Sequence, residues 1–282
     1  MVGGPVVVNS VSGAKIVASL YELKRGTASG GWTGQSEMMG VPYGQLSNEY
    51  LIPIYFGDPV HVALDARIFI ANADTVTRDI TVTIGGVVRG TYTLAPNTSQ
   101  SLKYPVTGGP VVVSSPPGSR IIASLNQWRR QTASTPWTGV AQSMALPVSL
   151  ITDTYVIPRY VGNDATLYNA VLMANVDTVP RDITVTIGGV VRGTYTLAPS
   201  ASQFVVYNGV VGGPIVVSSV DGARIVASLY ELKRGASSGG WMGQSEMMGL
   251  PYEQLSDEYL IPIYFGDPVH VALDARLFIA VP

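Results

Sequence analysis

The residues that could do chemistry are few, and their spacing matches no catalytic arrangement. Histidine is the usual general base, yet the only two, His61 and His270, are copies of one repeat position at which the middle copy carries Thr166. The GQSEM stretch at residues 34–38 ends in Met, where a nucleophile elbow needs Gly. The chain has no cysteine, which excludes thiolate catalysis, disulfides and Cys-type zinc sites. We therefore expect that this chain is not an enzyme and has no cofactor.

Recurring carboxylates offer one candidate metal site. Calcium takes about six to eight oxygen ligands, which inter-strand loops can supply. Aspartate also caps turns, and the neighbouring Arg78 and Arg181 can form surface ion pairs with Asp79 and Asp182 that contribute little stability. We favour the turn interpretation and expect no metal, with calcium as the alternative. The calcium candidates are Asp74, Asp79, Asp177 and Asp182.

One tryptophan per repeat lies in a stretch rich in Gly and Ser, predicted to be a loop. These residues are Trp32, Trp137 and Trp241. A tryptophan on a loop can stack on a sugar ring, which would make the chain a carbohydrate-binding adhesin. A tryptophan can also close the end of a sheet sandwich by burying its large apolar surface. We favour the structural role and keep glycan binding as the alternative function.

Composition indicates a folded chain and excludes two classes of partner. Apolar residues make up 46% of the 282 residues and charged residues only 13%, unlike a disordered linker. A net charge of −2 without a basic block predicts no nucleic-acid binding. No apolar run is long enough to predict a membrane-spanning segment. Residues 1–6 lack the charged start of a signal peptide, so export would depend on a signal outside this stretch.

The sequence repeats with a period of about 105 residues. Gly-Gly-Pro begins at Gly3, Gly108 and Gly212, and residues 79–96 recur letter for letter at 182–199. Copies one and three share YELKRG, where copy two reads NQWRRQ, so the order of repeat types is A-B-A. This period is too long for a solenoid repeat and matches a sandwich domain of about 100 residues.

Alternating apolar and polar residues predict strands. Residues 80–84 alternate Ile or Val with Thr, and the residue parity across Gly85-Gly86 predicts an odd loop or a bulge. Val6–Val8 are also predicted as a strand, and Pro53 predicts an edge position or a bulge for the YLIP strand. No helical period is present beyond one possible turn at Ser36–Met39. The predicted fold is all-β, with tandem immunoglobulin-like β-sandwich domains of about 105 residues.

A polar stretch precedes each YLIP-type strand and predicts the domain boundaries, because boundaries lie in exposed polar segments. Two whole domains are expected at residues 50–154 and 155–258. Residues 1–49 would then supply only late strands, and residues 259–282 only early strands. Gly108 and Gly212 are not expected to be linkers.

Incomplete domains predict head-to-tail assembly by strand complementation. Neither half buries its apolar face alone, and open strand edges template association with another chain. Repeated head-to-tail contacts give open filaments unless the rotation closes. The candidate assembly residues are Val6, Val7, Val8, Leu260, Ile261, Ile263 and Phe278.

Four motifs carry a resemblance to a known type of repeat. They are GGPVVVxS, SEMMGxPxxQL, YLIPxY and IGGxxRGTYTLAP. Together they resemble an uncharacterised tandem repeat of large secreted surface proteins in filamentous Chloroflexi-type bacteria. The resemblance covers the whole chain and implies an extracellular or cell-surface location. We therefore predict a bacterial structural repeat protein of a filament, sheath or stalk, whose partner is another copy of itself, with surface glycans as the alternative partner.

Overall fold

The structure is a computed structural model that describes residues 4–25, 32–57, 64–130, 139–162, 167–234, 241–262 and 277–282. Side chains are described for the same residues except 23–25, 32–35, 234 and 241–242. This part of the chain forms β-strands and three short 3-10 helices without any α-helix, so the prediction of an all-β fold is confirmed.

The strands are β1 (Ser19–Arg25), β2 (Trp32–Met39), β3 (Glu49–Ile52), β4 (Tyr55–Phe56), β5 (Leu64–Asn72), β6 (Arg78–Ile84), β7 (Val87–Leu94), β8 (Ser99–Leu102), β9 (Thr107–Gly108), β10 (Val111–Ser114), β11 (Ile121–Arg129), β12 (Gly139–Met144), β13 (Leu146–Pro147), β14 (Thr154–Ile157), β15 (Tyr160–Val161), β16 (Leu167–Asn175), β17 (Arg181–Ile187), β18 (Val190–Leu197), β19 (Ser202–Val205), β20 (Val211–Gly212), β21 (Ile215–Ser218), β22 (Ile225–Arg234), β23 (Trp241–Met248) and β24 (Leu250–Pro251). The 3-10 helices are Tyr43–Gln45, Val148–Leu150 and Tyr252–Gln254.

Strands β3–β13 and β14–β24 form two sets of antiparallel sheets, which we call the first unit and the second unit. The first unit has a five-stranded sheet (β13-β3-β10-β6-β7), a four-stranded sheet (β12-β11-β5-β8) and the pair β4-β9. The second unit has the sheets β24-β14-β21-β17-β18, β23-β22-β16-β19 and β15-β20. Corresponding strands occupy the same places, so the two units have the same strand order.

Each unit has a core built from side chains of both larger sheets. In the first unit, Ile80 and Val82 of β6 belong to the same fully buried cluster as Ile68 of β5 and Leu125 of β11. The threonines that alternate with them in β6 remain partly exposed, as the sequence pattern predicted. Burial of each such aliphatic side chain contributes about 2 kcal/mol, so the shared core holds the two sheets together.

The β6–β7 hairpin combines a two-residue turn with a bulge. Gly85 and Gly86 have φ values of 58° and 76°, and two consecutive positive φ angles are the geometry of a type I′ turn, which favours glycine. Val82 pairs with Gly90 and the next pair is Thr83 with Val88, so Arg89 is the extra residue. Because of the bulge, Ile80 lies opposite Tyr92, so apolar residues of both strands share one face of the sheet as the alternation predicts. The predicted irregularity is confirmed.

The Gly-Gly-Pro motif lies inside each unit. Gly108 pairs with Tyr55 in the β4–β9 ladder. A Cβ atom on Gly109 would lie 2.0 Å from the carbonyl oxygen of Pro53, and one on Gly213 would lie 2.3 Å from that of Pro158. Only glycine allows this close approach of two backbones. The motif therefore packs closely against the segment that follows the YLIP-type strand, and it is not a linker.

Three local predictions are wrong. Strand β3 ends at Ile52, before Pro53, and lies between β13 and β10 inside its sheet, so it is not an edge strand. Ser36–Met39, predicted as a helical turn at most, is part of strand β2 because it pairs with β1. Val6–Val8 form no strand, although their copy Val111–Val113 lies in β10. Strand β10 is held by β3 and β6 on its two sides, and no described strand flanks Val6–Val8.

Candidate functional site at the repeat junctions

The first junction brings together corresponding edge strands of three repeats, β2, β12 and β23. The backbone N–H of Gln142 donates to Oγ of Ser36 at 2.8 Å, and the side-chain amide of Gln244 donates to the carbonyl of Gln127. A Cβ atom on Gly139 would lie 3.2 Å from Cγ of Gln244, so the strands approach closely. The GQSEMM stretches of the type A repeats and the GVAQSM stretch of the type B repeat are therefore contact surfaces between repeats.

Two positions in each repeat carry the polar contacts of this junction. The edge position comprises Glu37, Gln142 and Glu246, which lie opposite Tyr21, Asn126 and Tyr230 in their ladders. The inner position comprises Glu22, Gln127 and Glu231, which lie opposite Ser36, Ala141 and Ser245. Both positions are Glu in type A repeats and Gln in the type B repeat.

Each contact joins the inner position of one repeat to the edge position of the next. Nε2 of Gln142 donates to Oε2 of Glu22 at 2.5 Å, and Nε2 of Gln127 donates to Oε2 of Glu246 at 2.7 Å. Gln127, Gln142 and Glu246 are 1%, 3% and 7% exposed, so these hydrogen bonds are shielded from water. Each contact pairs an amide donor with a carboxyl acceptor, so the two side chains complement each other at both contacts.

The carboxyl group of Glu246 has an altered acidity. Burial raises its pKa to about 7, although Ser228 Oγ donates to Oε1 at 3.0 Å and Gln127 donates to Oε2. The hydroxyl of Tyr230 donates to Oε1 of Gln244 at 2.8 Å beside it. Raised carboxyl pKa values also occur at catalytic sites. Here the carboxyl lies between packed strands, where its hydrogen bonds hold two repeats together.

A cleft of about 630 Å³ opens beside these contacts. Methionine side chains supply much of its apolar lining, and the edge-position residues Glu37, Gln142 and Glu246 also border it. Methionine adapts its shape to irregular surfaces, which suits a junction of three strands. The methionines that line the cleft are Met39, Met144, Met247 and Met248.

The second junction is apolar. Ile54 and Phe56, which follow β3 in the first unit, pack on a face of the second unit formed by β16 and β22. The Phe56 ring lies 6.1 Å from that of Phe204 and 6.2 Å from that of Tyr230, centroid to centroid. Leu51 of the first unit also belongs to the core cluster of the second unit. We call Ile54 and Phe56 the tip, and the two units are joined by its burial.

The tip and the face that receives it both change between repeats. In the second unit the tip position of Ile54 is Arg159, which pairs with Glu231 at 2.9 Å and lies 4.2 Å above the ring of Phe278. The face of the second unit is apolar and includes Leu172 and Leu232. The corresponding face of the first unit is polar, with Lys103 bound to Asp65 at 2.9 Å and Arg67 over the Trp128 ring.

The calcium candidates are engaged by other side chains. Asp74 accepts hydrogen bonds from Arg78 Nε at 2.8 Å and Nη2 at 2.5 Å, which hold the pKa of Asp74 below its usual range. Asp79 accepts from Thr93 at 2.6 Å. The expected Arg78–Asp79 pair is wrong, because neighbouring residues of a strand point to opposite faces. Asp177 and Asp182 repeat these contacts with Arg181 and Thr196.

Within the described ranges, no group of three or more His, Cys, Asp and Glu side chains is placed to hold a metal ion. The backbones of Trp32 and Trp241 lie at the starts of strands β2 and β23, so the loop predicted for these two residues is wrong. Trp137, His61, His270 and Thr166 lie outside the described residues. Glycan binding by the tryptophans therefore stays a prediction.

Six of the seven predicted assembly residues are described, and all six are exposed; Ile263 lies outside the described residues. Val6 is 82% exposed whereas its copy Val111 is fully buried, and Leu260 is 71% exposed whereas its copy Leu51 is 1% exposed. The six lie in three described stretches of the chain: Val6, Val7 and Val8 in the first, Leu260 and Ile261 in the second, and Phe278 in the third.

The junction residues were not predicted from the sequence. A signal for them existed, since Glu22 and Glu37 of a type A repeat become Gln127 and Gln142 in the type B repeat. Only the strand register shows that these two substitutions concern residues that meet across a junction.

In the described part of the chain, no helix is long and apolar enough to cross a membrane. No protein-family model matches the sequence, and no curated protein matches it significantly. The function is therefore inferred from the junctions between repeats.

Proposed function

We propose that this chain is part of a structural repeat array of an extracellular or cell-surface filament, sheath or stalk. Each repeat is an immunoglobulin-like β-sandwich, with whole domains at residues 50–154 and 155–258. The observation that carries the proposal is the buried contact between units, in which Phe56 and Leu51 of one unit enter apolar clusters of the next. Contacts of this kind limit movement between repeats, and a spacer or filament needs that stiffness.

The array grows when a strand of one copy adds to a sheet of another copy. The added strand takes the register that the corresponding strand has in the complete units. In the first unit β5 pairs with β11 so that Ile68 lies opposite Leu125 and Ile70 opposite Ala123. In the sequence repeat, the segment that contains Leu277 and Ile279 corresponds to β5, and β1 corresponds to β11. Among the described strands, β1 pairs only with β2.

The apolar side chains at these two segments are exposed where their copies are buried. Leu20 is 49% exposed and Ile279 is 89% exposed, while Leu125 and Ile70 are fully buried. A strand from a second copy that places Leu277 opposite Leu20 buries both surfaces. This is head-to-tail strand complementation, and repetition of it gives an open filament.

Light scattering coupled to size exclusion tests this assembly on the full chain. The mass of the parent should rise with concentration, while Ile279→Asp should stay monomeric because a charge would be buried in the new sheet. Val191→Asp is the matched control, since Val191 is 63% exposed on strand β18 of a complete unit. A parent that stays monomeric at high concentration, or an Ile279→Asp variant that associates equally well, would show that this mode of assembly is wrong.

A further inference from the structure

We propose that the Glu–Gln contacts are a recognition code that makes the two repeat types alternate. A repeat with Glu at its inner position accepts a next repeat with Gln at its edge position, and a repeat with Gln accepts one with Glu. The proposal rests on contacts between repeats within one chain. It does not depend on the extracellular role or on association between chains.

The two Glu–Gln contacts of the first junction obey this rule with opposite polarity. From residues 1–49, which precede the first unit, to the first unit, the carboxylate is Glu22 and the amide is Gln142. From the first unit to the second, the amide is Gln127 and the carboxylate is Glu246. The same two positions are therefore used twice, and the charged partner changes side each time the repeat type changes.

Neighbours of type A would place two carboxylates at hydrogen-bond distance. At the buried contact now made by Gln127 and Glu246, two ionised groups repel each other and both lose hydration, so one would have to take up a proton. The titratable groups that face this contact are Tyr230 and Arg129, with Tyr21 and Glu37 along the same cleft. Two type B neighbours would keep a neutral amide–amide hydrogen bond without burying a charge. The Glu–Gln contacts therefore exclude A–A neighbours and leave B–B neighbours to be excluded by other contacts.

The tips support alternation independently. The apolar tip with Phe56 meets the apolar face of the second unit, and the Arg159 tip meets the Phe278 ring. By the repeat, Phe278 corresponds to Phe69, which lies on the polar face that holds the Asp65–Lys103 ion pair. An apolar tip on that face would bury an ion pair, which costs free energy unless every polar group is satisfied. Tip and face thus alternate together with the Glu–Gln contacts.

The code also identifies the partner of the second unit. Its inner position is Glu231. The carboxylate of Glu231 forms an ion pair with Arg159 and accepts a hydrogen bond from Asn169 at 3.0 Å. The repeat that fits next to Glu231 is one with Gln at its edge position, which is a type B repeat. This assigns the surface around Glu231 as a docking surface for that repeat type.

The test swaps the two members of one pair in the full chain. Gln127→Glu should raise the unfolding equilibrium constant at pH 8 by about tenfold or more, the scale of coupling between contacting residues. Adding Glu246→Gln should bring it back to within about threefold of the parent, because the reversed pair is again complementary. Gln100→Glu, on an exposed residue of β8, is the control and should change little.

Each result of this experiment either supports or overturns the proposed code. A Gln127→Glu variant as stable as the parent would overturn it, and Arg129 would then be the group that neutralises the added carboxylate. A double variant no more stable than Gln127→Glu would also overturn it. If Gln127→Glu does not fold, recovery of folding in the double variant supports the code, and failure of both variants refutes it. The pair Gln142→Glu with Glu22→Gln repeats the test at the other Glu–Gln contact.

Discussion

Replacement of Glu246 by Gln should make the protein more stable at alkaline pH and leave it little changed at acid pH. Burial raises the pKa of this carboxyl from 4.5 to about 7 in the folded state. Well below pH 4.5 the group is neutral in both the folded and the unfolded state, and its favourable contribution is fully present. As pH rises from 4.5 through 7, the unfolded state loses the proton first, and the free energy of unfolding falls.

The size of the effect follows from the pKa difference. A change from 4.5 to about 7 corresponds to about 3 kcal/mol of stability lost above pH 7. Glutamine stays neutral and avoids this loss, and the pKa of about 7 already includes the hydrogen bonds from Ser228 and Gln127. The Glu246→Gln variant should therefore be up to about 3 kcal/mol more stable than the parent at pH 8.5.

Urea unfolding of both proteins at several pH values between 4.5 and 8.5 measures this difference. Glu37→Gln is the matched control, because Glu37 has the same place in its repeat but an exposed side chain, and it should alter the pH dependence little. The reasoning is refuted if the difference between Glu246→Gln and the parent is the same at pH 5 and pH 8.5. A stabilised junction in that variant would also show that the carboxylate contributes partner selection rather than stability.

Two further substitutions test the packing and one set tests the alternative function. Phe56→Ala should lower the free energy of unfolding by about 2 kcal/mol, because it removes an aromatic contact from the apolar junction, whereas Val88→Ala on an exposed residue should change it little; equal midpoints in urea would contradict this. Gly109→Ala should prevent folding or strongly destabilise the first unit, since its Cβ would lie 2.0 Å from the Pro53 oxygen, while Gly44→Ala, with open space around it, should be tolerated in thermal unfolding. Glycan-array binding that is lost only when all three tryptophans are replaced by Ala would favour the adhesin: Trp32, Trp137 and Trp241.

Local sequence determined the strands for which the alternation of apolar and polar residues and the turn residues predict the same hairpin. In residues 80–94 the alternation, the two glycines and the parity of the apolar positions specify a hairpin with a bulge, and each of these signals acts between residues close in the chain. The repeat also implied equal strand order in the two copies, because equal sequences have equal local preferences and equal cores.

Tertiary structure decided what local signals leave open. Val6–Val8 and Val111–Val113 have the same residues, but only the second segment has strands on both sides, and hydrogen bonds to neighbouring strands are what make a strand. Ser36–Met39 became a strand for the same reason.

The junctions depend still more on tertiary structure. Gln127 and Glu246 are 119 residues apart in the chain, and Gln142 and Glu22 are 120 apart. No periodicity within a strand relates residues at such distances, so the sequence showed the change from Glu to Gln without showing what faces it. The strand register and the packing of one repeat on the next bring amide and carboxylate together, because side chains that leave water must find a partner within hydrogen-bond distance.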